Sequence, residues 1–119
     1  MTTITNDMNL GLLRQPATVL FGPGQRRQIP QLVAQIGSSA LICTDDRMAA
    51  TDEFADLVSG LGEVGCKVSV FSRTLPDLPR ENIMSVLEEF ASADVDVVIG
   101  LGGGSCLDMA KTASLMLRH

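Results

Sequence analysis

Residues 94–111 read DVDVVIGLGGGSCLDMAK: an apolar run breaks into Gly102, Gly103 and Gly104, then Ser105, with Asp108 three residues on and Lys111 three further. Glycine lacks a Cβ, so its backbone can approach a ligand closely and adopt positive φ. A helix starting directly after such a turn offers unpaired N–H groups and a partial positive charge, which together make an anion site whose usual guest is phosphate. Ser105 is expected at the N-cap, where its hydroxyl adds a donor. The plainer alternative is that Ser105 and Asp108 form a capping arrangement with Asp108 at N3, that the glycines only make a tight turn and that Lys111 only pairs with Asp108 on the helix surface. Two better-known nucleotide loops are absent. A G-x-G-x-x-G pattern from Gly100 meets Ser105 at its last position, and a P-loop is broken because Ala110 precedes Lys111 and Thr112.

Such a loop has to be held by regular elements, and the chain supplies them in alternation. ATVLFGPG (17–24) is a β-rich run ended by Gly-Pro-Gly. QRRQIPQLVAQIG (25–37) spaces Ile29, Leu32, Val33 and Ile36 as one helix face, with Pro30 in the first turn and Gly37 as a stop. SALICTD (39–45) is a continuous apolar run closed by carboxylates. TDEFADLVSGLGEVG (51–65) starts on Thr-x-Glu and carries Phe54, Leu57, Val58 and Leu61 on one face. CKVSVFS (66–72) alternates as a strand, RTLPDLP (73–79) is a proline-bounded loop, and RENIMSVLEEFASA (80–93) aligns Ile83, Val86, Leu87 and Phe90. The opening strand (94–104) and the helix SCLDMAKTASLMLRH (105–119) complete the series.

Strands separated by helices of this length are βαβ units, and all-apolar central strands imply a parallel sheet covered on both faces. The expected fold is therefore α/β, a Rossmann-like parallel sheet with helices on both faces. Ligands of such sheets bind beyond the carboxyl ends of the strands, which directs attention to Asp45 and Asp46, to Arg73–Asp77 and to Gly102–Asp108.

At 119 residues and 45% hydrophobic, the chain is one domain's worth, with residues 1–15 as an N-terminal extension. Its formal net charge is −5 and no run of Lys or Arg occurs, so neither nucleic acid nor an anionic membrane is an expected partner. The longest apolar run, around Val95 to Leu101, is far short of the roughly 20 residues that span a bilayer, and the N-terminus lacks a secretory pattern. The expectation is a cytoplasmic protein. Cys43, Cys66 and Cys106 are odd in number and scattered, which argues against a disulfide framework or a CxxC metal pair. Cys106 alone falls near a helix N-terminus, where the dipole would lower its thiol pKa.

The segment GGGSCLDMAK resembles the GGGSxxDxAK signature of the iron-containing alcohol dehydrogenase family. The resemblance extends to FGPG after the first strand, to LICTD closing the second, and to LPDLPRENI, which is similar to a Pro-Asn-Pro-Thr-x-x-x-Val segment. It runs from about Pro16 to the last residue. It implies an N-terminal dinucleotide-binding domain followed by a helical domain, with the active site between them. By carry-over, Gly102, Gly103, Gly104 and Ser105 hold the cofactor pyrophosphate, Asp108 lies beside the nicotinamide and Asp45 contacts the adenosine ribose. Asp77 stands where the family has a cofactor-facing Asn, and Pro79 falls one place later than the family's second proline. The resemblance further implies NAD rather than NADP, because Asp45 would face a 2′-phosphate, although Arg47 is near enough in sequence to screen it.

The family's metal, iron by its name, is held by an aspartate and several histidines. Here the one histidine is His119, so the metal site and the catalytic residues are expected outside this chain. The chain stops within the apolar helix TASLMLRH, as an excised domain would. An inactive cofactor-binding half of a homo-oligomeric enzyme acting on a small alcohol or aldehyde is the expectation. The alternative is a non-enzymatic nucleotide- or phosphate-binding module with Leu115, Met116 and Leu117 as an interaction surface.

Overall fold

A computed structural model describes residues 2–5, 16–21 and 28–117. The elements follow the order β1 (Thr2–Thr5), β2 (Ala17–Phe21), α1 (Ile29–Ile36), β3 (Ser39–Cys43), α2 (Asp46–Ala49), α3 (Asp52–Glu63), β4 (Lys67–Phe71), α4 (Arg80–Phe90), β5 (Val97–Leu101) and α5 (Gly104–Met116). The strands form one sheet in the order β1-β2-β5-β3-β4. The pairs β2·β5, β5·β3 and β3·β4 are parallel, whereas β1 lies antiparallel on the β2 edge. Residues 2–5 thus contribute a strand that their composition did not announce.

The alternation of side chains along the strands divides the core in two. Ala40 and Ile42 point to one face with Val19, Val97 and Ile99, and α1 and α3 cover it through Ile29, Val33, Leu57 and Leu61. Leu41 and Cys43 point to the other with Leu20 and Val98, under Val86 and Phe90 of α4 and Met109, Ala110 and Ala113 of α5. All five β5 residues are buried, as a central strand with helices on both sides requires. Gly100 makes the contact with α5 possible: a Cβ there would lie 2.9 Å from Ala110 Cβ and Leu20 Cδ2, and 3.3 Å from Leu107 Cα.

The helix starts are explained locally. Pro30 occupies the first turn of α1, where its missing N–H costs nothing, and the Thr51 hydroxyl accepts from Phe54 N at 3.1 Å to cap α3. In α4, the predicted apolar face has a buried polar companion, Asn82. Its Oδ1 accepts from Leu75 N at 2.9 Å and its Nδ2 donates to the Arg73 carbonyl at 2.8 Å, so α4 fastens the loop that follows β4. The Arg73 guanidinium lies 4.6 Å from the Phe71 ring centre and pairs with Glu89, which anchors the same loop from outside.

Candidate functional site

The helix that follows β3 lies on one face of the sheet and the helix that follows β5 on the other, so a crevice opens between the carboxyl ends of these neighbouring strands. Two cavities occupy it. One of about 540 Å³ is lined by Asp45, Arg47, Met48, Thr51, Gly102 and Gly103. The other, of about 360 Å³, brings Asp45, Arg47, Thr74 and Pro76 against Gly103, Gly104 and Ser105.

The turn into α5 differs in detail from the sequence expectation. The N-cap is Gly103, in extended backbone, with no side-chain cap bond, so Ser105 is the second helical residue and Asp108 the fifth. The capping pair of Ser105 and Asp108 does not form. Positive φ falls on Gly102, at 130°, and not on Gly104, whose hypothetical Cβ would meet nothing within 4 Å. The carbonyl of Gly103 accepts from Cys106 N and Leu107 N, at 3.0 and 3.2 Å. The N–H groups of Gly104 and Ser105 are left without a partner among the described residues.

Asp45 is the N-cap of α2, its Oδ1 accepting from Met48 N at 2.8 Å. Asp46, beside it, is the first residue of the helix. The second oxygen, Oδ2, accepts from Cys106 Sγ at 3.6 Å. Burial, and then the adjacent Asp45 carboxylate, push the Cys106 thiol up from 9.0 to about 11, which reverses the expected helix-terminus activation. Cys106 is thus a protonated donor that steadies Asp45. Cys43 and Cys66 are buried and free, as small core residues. Thr44 and Thr74, at the carboxyl ends of β3 and β4, are buried with no partner for either Oγ1.

This arrangement has known relatives. Residues 16–119 match the model of the family described as iron-containing alcohol dehydrogenase. The chain belongs to that family. It is 31% identical over 113 residues to long-chain-alcohol dehydrogenase 1 of Geobacillus thermodenitrificans, covering 94% of this chain and 29% of that protein. It is 29% identical over 102 residues to the NAD-dependent methanol dehydrogenase of Bacillus methanolicus, covering 85% and 26%. The crystal structure of an iron-containing alcohol dehydrogenase from Thermotoga maritima superposes with a TM-score of 0.70 at 27% identity, covering 82% of this chain and 28% of that one. The chain therefore spans less than a third of the length of these relatives.

Of the residues carried over from the family signature, Asp45, Gly102, Gly103, Gly104 and Ser105 share the crevice. Asp77 and Asp108 are exposed and line neither cavity. Asp77, at φ 65°, turns the loop after β4 in a conformation that Asp tolerates better than most side chains. Lys111 is exposed and makes no ion pair with Asp108 among the described residues. His119 lies outside the described residues. Leu115 and Met116 are exposed, but Leu117 is buried against α4 and α5, so the three do not form one surface. Among the described residues no helix is long and apolar enough to cross a membrane. Nothing in the sequence singles out the Thr44 or Thr74 hydroxyl, because an unmet hydroxyl is visible only once its surroundings are assembled.

Proposed function

We propose that this chain is the cofactor-binding domain of a metal-dependent alcohol dehydrogenase that moves hydride between a small alcohol or aldehyde and NAD. The observation that carries the reading is the meeting, in one crevice, of the open first turn of α5 and the Asp45 carboxylate. A bound nicotinamide supplies the hydride chemistry; the chain's own groups bind and orient the dinucleotide. Gly103, Gly104 and Ser105 would hold the pyrophosphate through backbone N–H groups, with Gly102 setting the turn. Asp45 would accept the adenosine ribose hydroxyls. Asp108 at the nicotinamide end and Asp77 beside the cofactor complete the set.

The residues fit a dinucleotide: side chains at Gly103 and Gly104 would project into open space that a ligand can fill, and the Thr74 hydroxyl lacks a partner. They do not fit a metal, since among the described residues no group of three His, Cys, Asp or Glu could hold one. The divalent metal, iron by the family's name, and the catalytic residues belong to the part of the relatives' length that this chain does not span. A homo-oligomeric parent enzyme in the cytoplasm, with no nucleic-acid or membrane partner, completes the proposal.

The cofactor choice is testable. A 2′-phosphate would meet Asp45 at contact distance, and Arg47, which lines both cavities, offers only one exposed cation against it. NAD is preferred by at least about tenfold, roughly 1.4 kcal/mol. Asp45→Asn keeps the capping oxygen of α2 while removing the charge, and relaxes that preference; Asp45→Gly relaxes it at the further cost of the cap. Titration with NADH and NADPH at one ionic strength decides the matter, and equal wild-type affinities remove Asp45 from the site. The 119-residue chain alone binds weakly and turns nothing over. Alcohol oxidation by the purified chain, free of contaminating enzymes, would overturn that part of the proposal.

A further inference from the structure

We propose that Thr74 is a cofactor-binding residue whose hydroxyl donates to a phosphate oxygen held at the first turn of α5. The inference rests on the dinucleotide reading and adds to it a residue outside the glycine signature. Thr74 is only 6% exposed and its Oγ1 has no hydrogen-bond partner, although buried polar groups almost always have one. It lines the 360 Å³ cavity together with Gly103, Gly104 and Ser105. Two unpaired backbone donors therefore border that space, and Thr74, which lines it, carries a buried hydroxyl with no partner of its own.

The hydroxyl is not misplaced by a loose loop. Thr74 N donates to the Thr44 carbonyl at 3.2 Å, and Asn82 holds the neighbours on both sides through Arg73 O and Leu75 N. The backbone around Thr74 is thus satisfied within the chain, and the side-chain hydroxyl is what remains over. A phosphate oxygen is an acceptor that completes it. The charged groups lining the same cavity are one cation, Arg47, and two acids, Asp45 and Asp46.

Thr44 provides an internal control. Its Oγ1 is equally without a partner, but it is fully buried and does not line the cavity. The experiment is calorimetric titration of the full chain and of Thr74→Val, Thr74→Ser and Thr44→Val with NADH, ADP-ribose and inorganic pyrophosphate. Thermal midpoints are measured without ligand. The expected result is that Thr74→Val weakens all three ligands by about three- to tenfold. Thr74→Ser retains wild-type affinity, Thr44→Val changes nothing, and the unliganded Thr74→Val protein melts no lower than the wild type. Equal affinity in Thr74→Val and wild type overturns the inference alone, as does an equal loss in Thr44→Val. Weakened NADH with unchanged pyrophosphate overturns the phosphate assignment, since the contact is then to another part of the cofactor. A wild-type chain that binds none of the three overturns the dinucleotide reading and this inference together.

Discussion

At the amino end of the sheet the Asp96 carboxylate accepts from Ser38 N through both oxygens and from Ser39 N through one, whereas at the carboxyl end Asp45 accepts one backbone N–H and one thiol. Glycines accompany both. The space beside Gly37 is filled, because a Cβ there would lie 2.4 Å from Asp96 Oδ1 and from Val97 Cγ2, but the space beside Gly104 is open. The same residue types are thus completed within the chain at one end and left with unmet donors at the other. An aspartate or a glycine in this fold indicates neither stability nor binding by itself. The number of its partners, supplied by distant segments, decides which.

The largest effect is expected where that comparison is most one-sided. Gly37→Ala should destabilise the chain by about 3 kcal/mol, because the new methyl must displace the Asp96 carboxylate from the N–H groups of Ser38 and Ser39. The urea midpoint measures this, and a shift equivalent to less than 1 kcal/mol would show that the amino end is softer than its packing implies. Gly104→Val is the converse substitution. With open space around the site and no positive φ, it should leave the urea midpoint within about 0.5 kcal/mol, yet weaken NADH binding by at least about tenfold, or 1.4 kcal/mol. Unchanged affinity would reduce the glycine run to a turn.

The smallest effect concerns pH. The Cys106 thiol is raised from 9.0 to about 11 by burial and by Asp45, and Cys43 to about 12 by burial and by Cys106. A proton held more tightly in the folded state contributes stability that is present below pH 9 and lost as pH rises through the folded values. For Cys106 the loss is about 1 kcal/mol by pH 10. Urea midpoints between pH 8 and 10.5 should therefore fall, and Cys106→Ala should flatten the fall. An equal slope in the variant would assign the alkaline loss elsewhere.

Much of this architecture could be read from local pattern. The continuous apolar runs at Ala40–Cys43 and Val97–Leu101 became the two central parallel strands, and the spacing of Leu57 and Leu61, or of Val86 and Phe90, marked the buried helix faces. The short strand β1 escaped notice because Thr2–Thr5 has no apolar run or alternation and is defined by its pairing with β2. Of helix α2 only a start near Asp46 could be read, since four residues carry no periodicity. In the candidate site, the glycine turn and the carboxylate at the end of β3 were legible because they begin with backbone freedom and charge. The reversal at Cys106 was not, because the carboxylate that opposes the helix end comes from 61 residues away in sequence.

The sequence by itself determined the alternation of strands and helices, the apolar faces and the glycine turn before α5, because each depends on residue type and short-range spacing. Only the tertiary structure decided the strand order, the cap at Asp45 and the unmet hydroxyls of Thr44 and Thr74. It alone brought the loops after β3, β4 and β5 into one crevice. The physical reason is that burial and hydrogen-bond satisfaction are sums over neighbours that the chain assembles only when it closes.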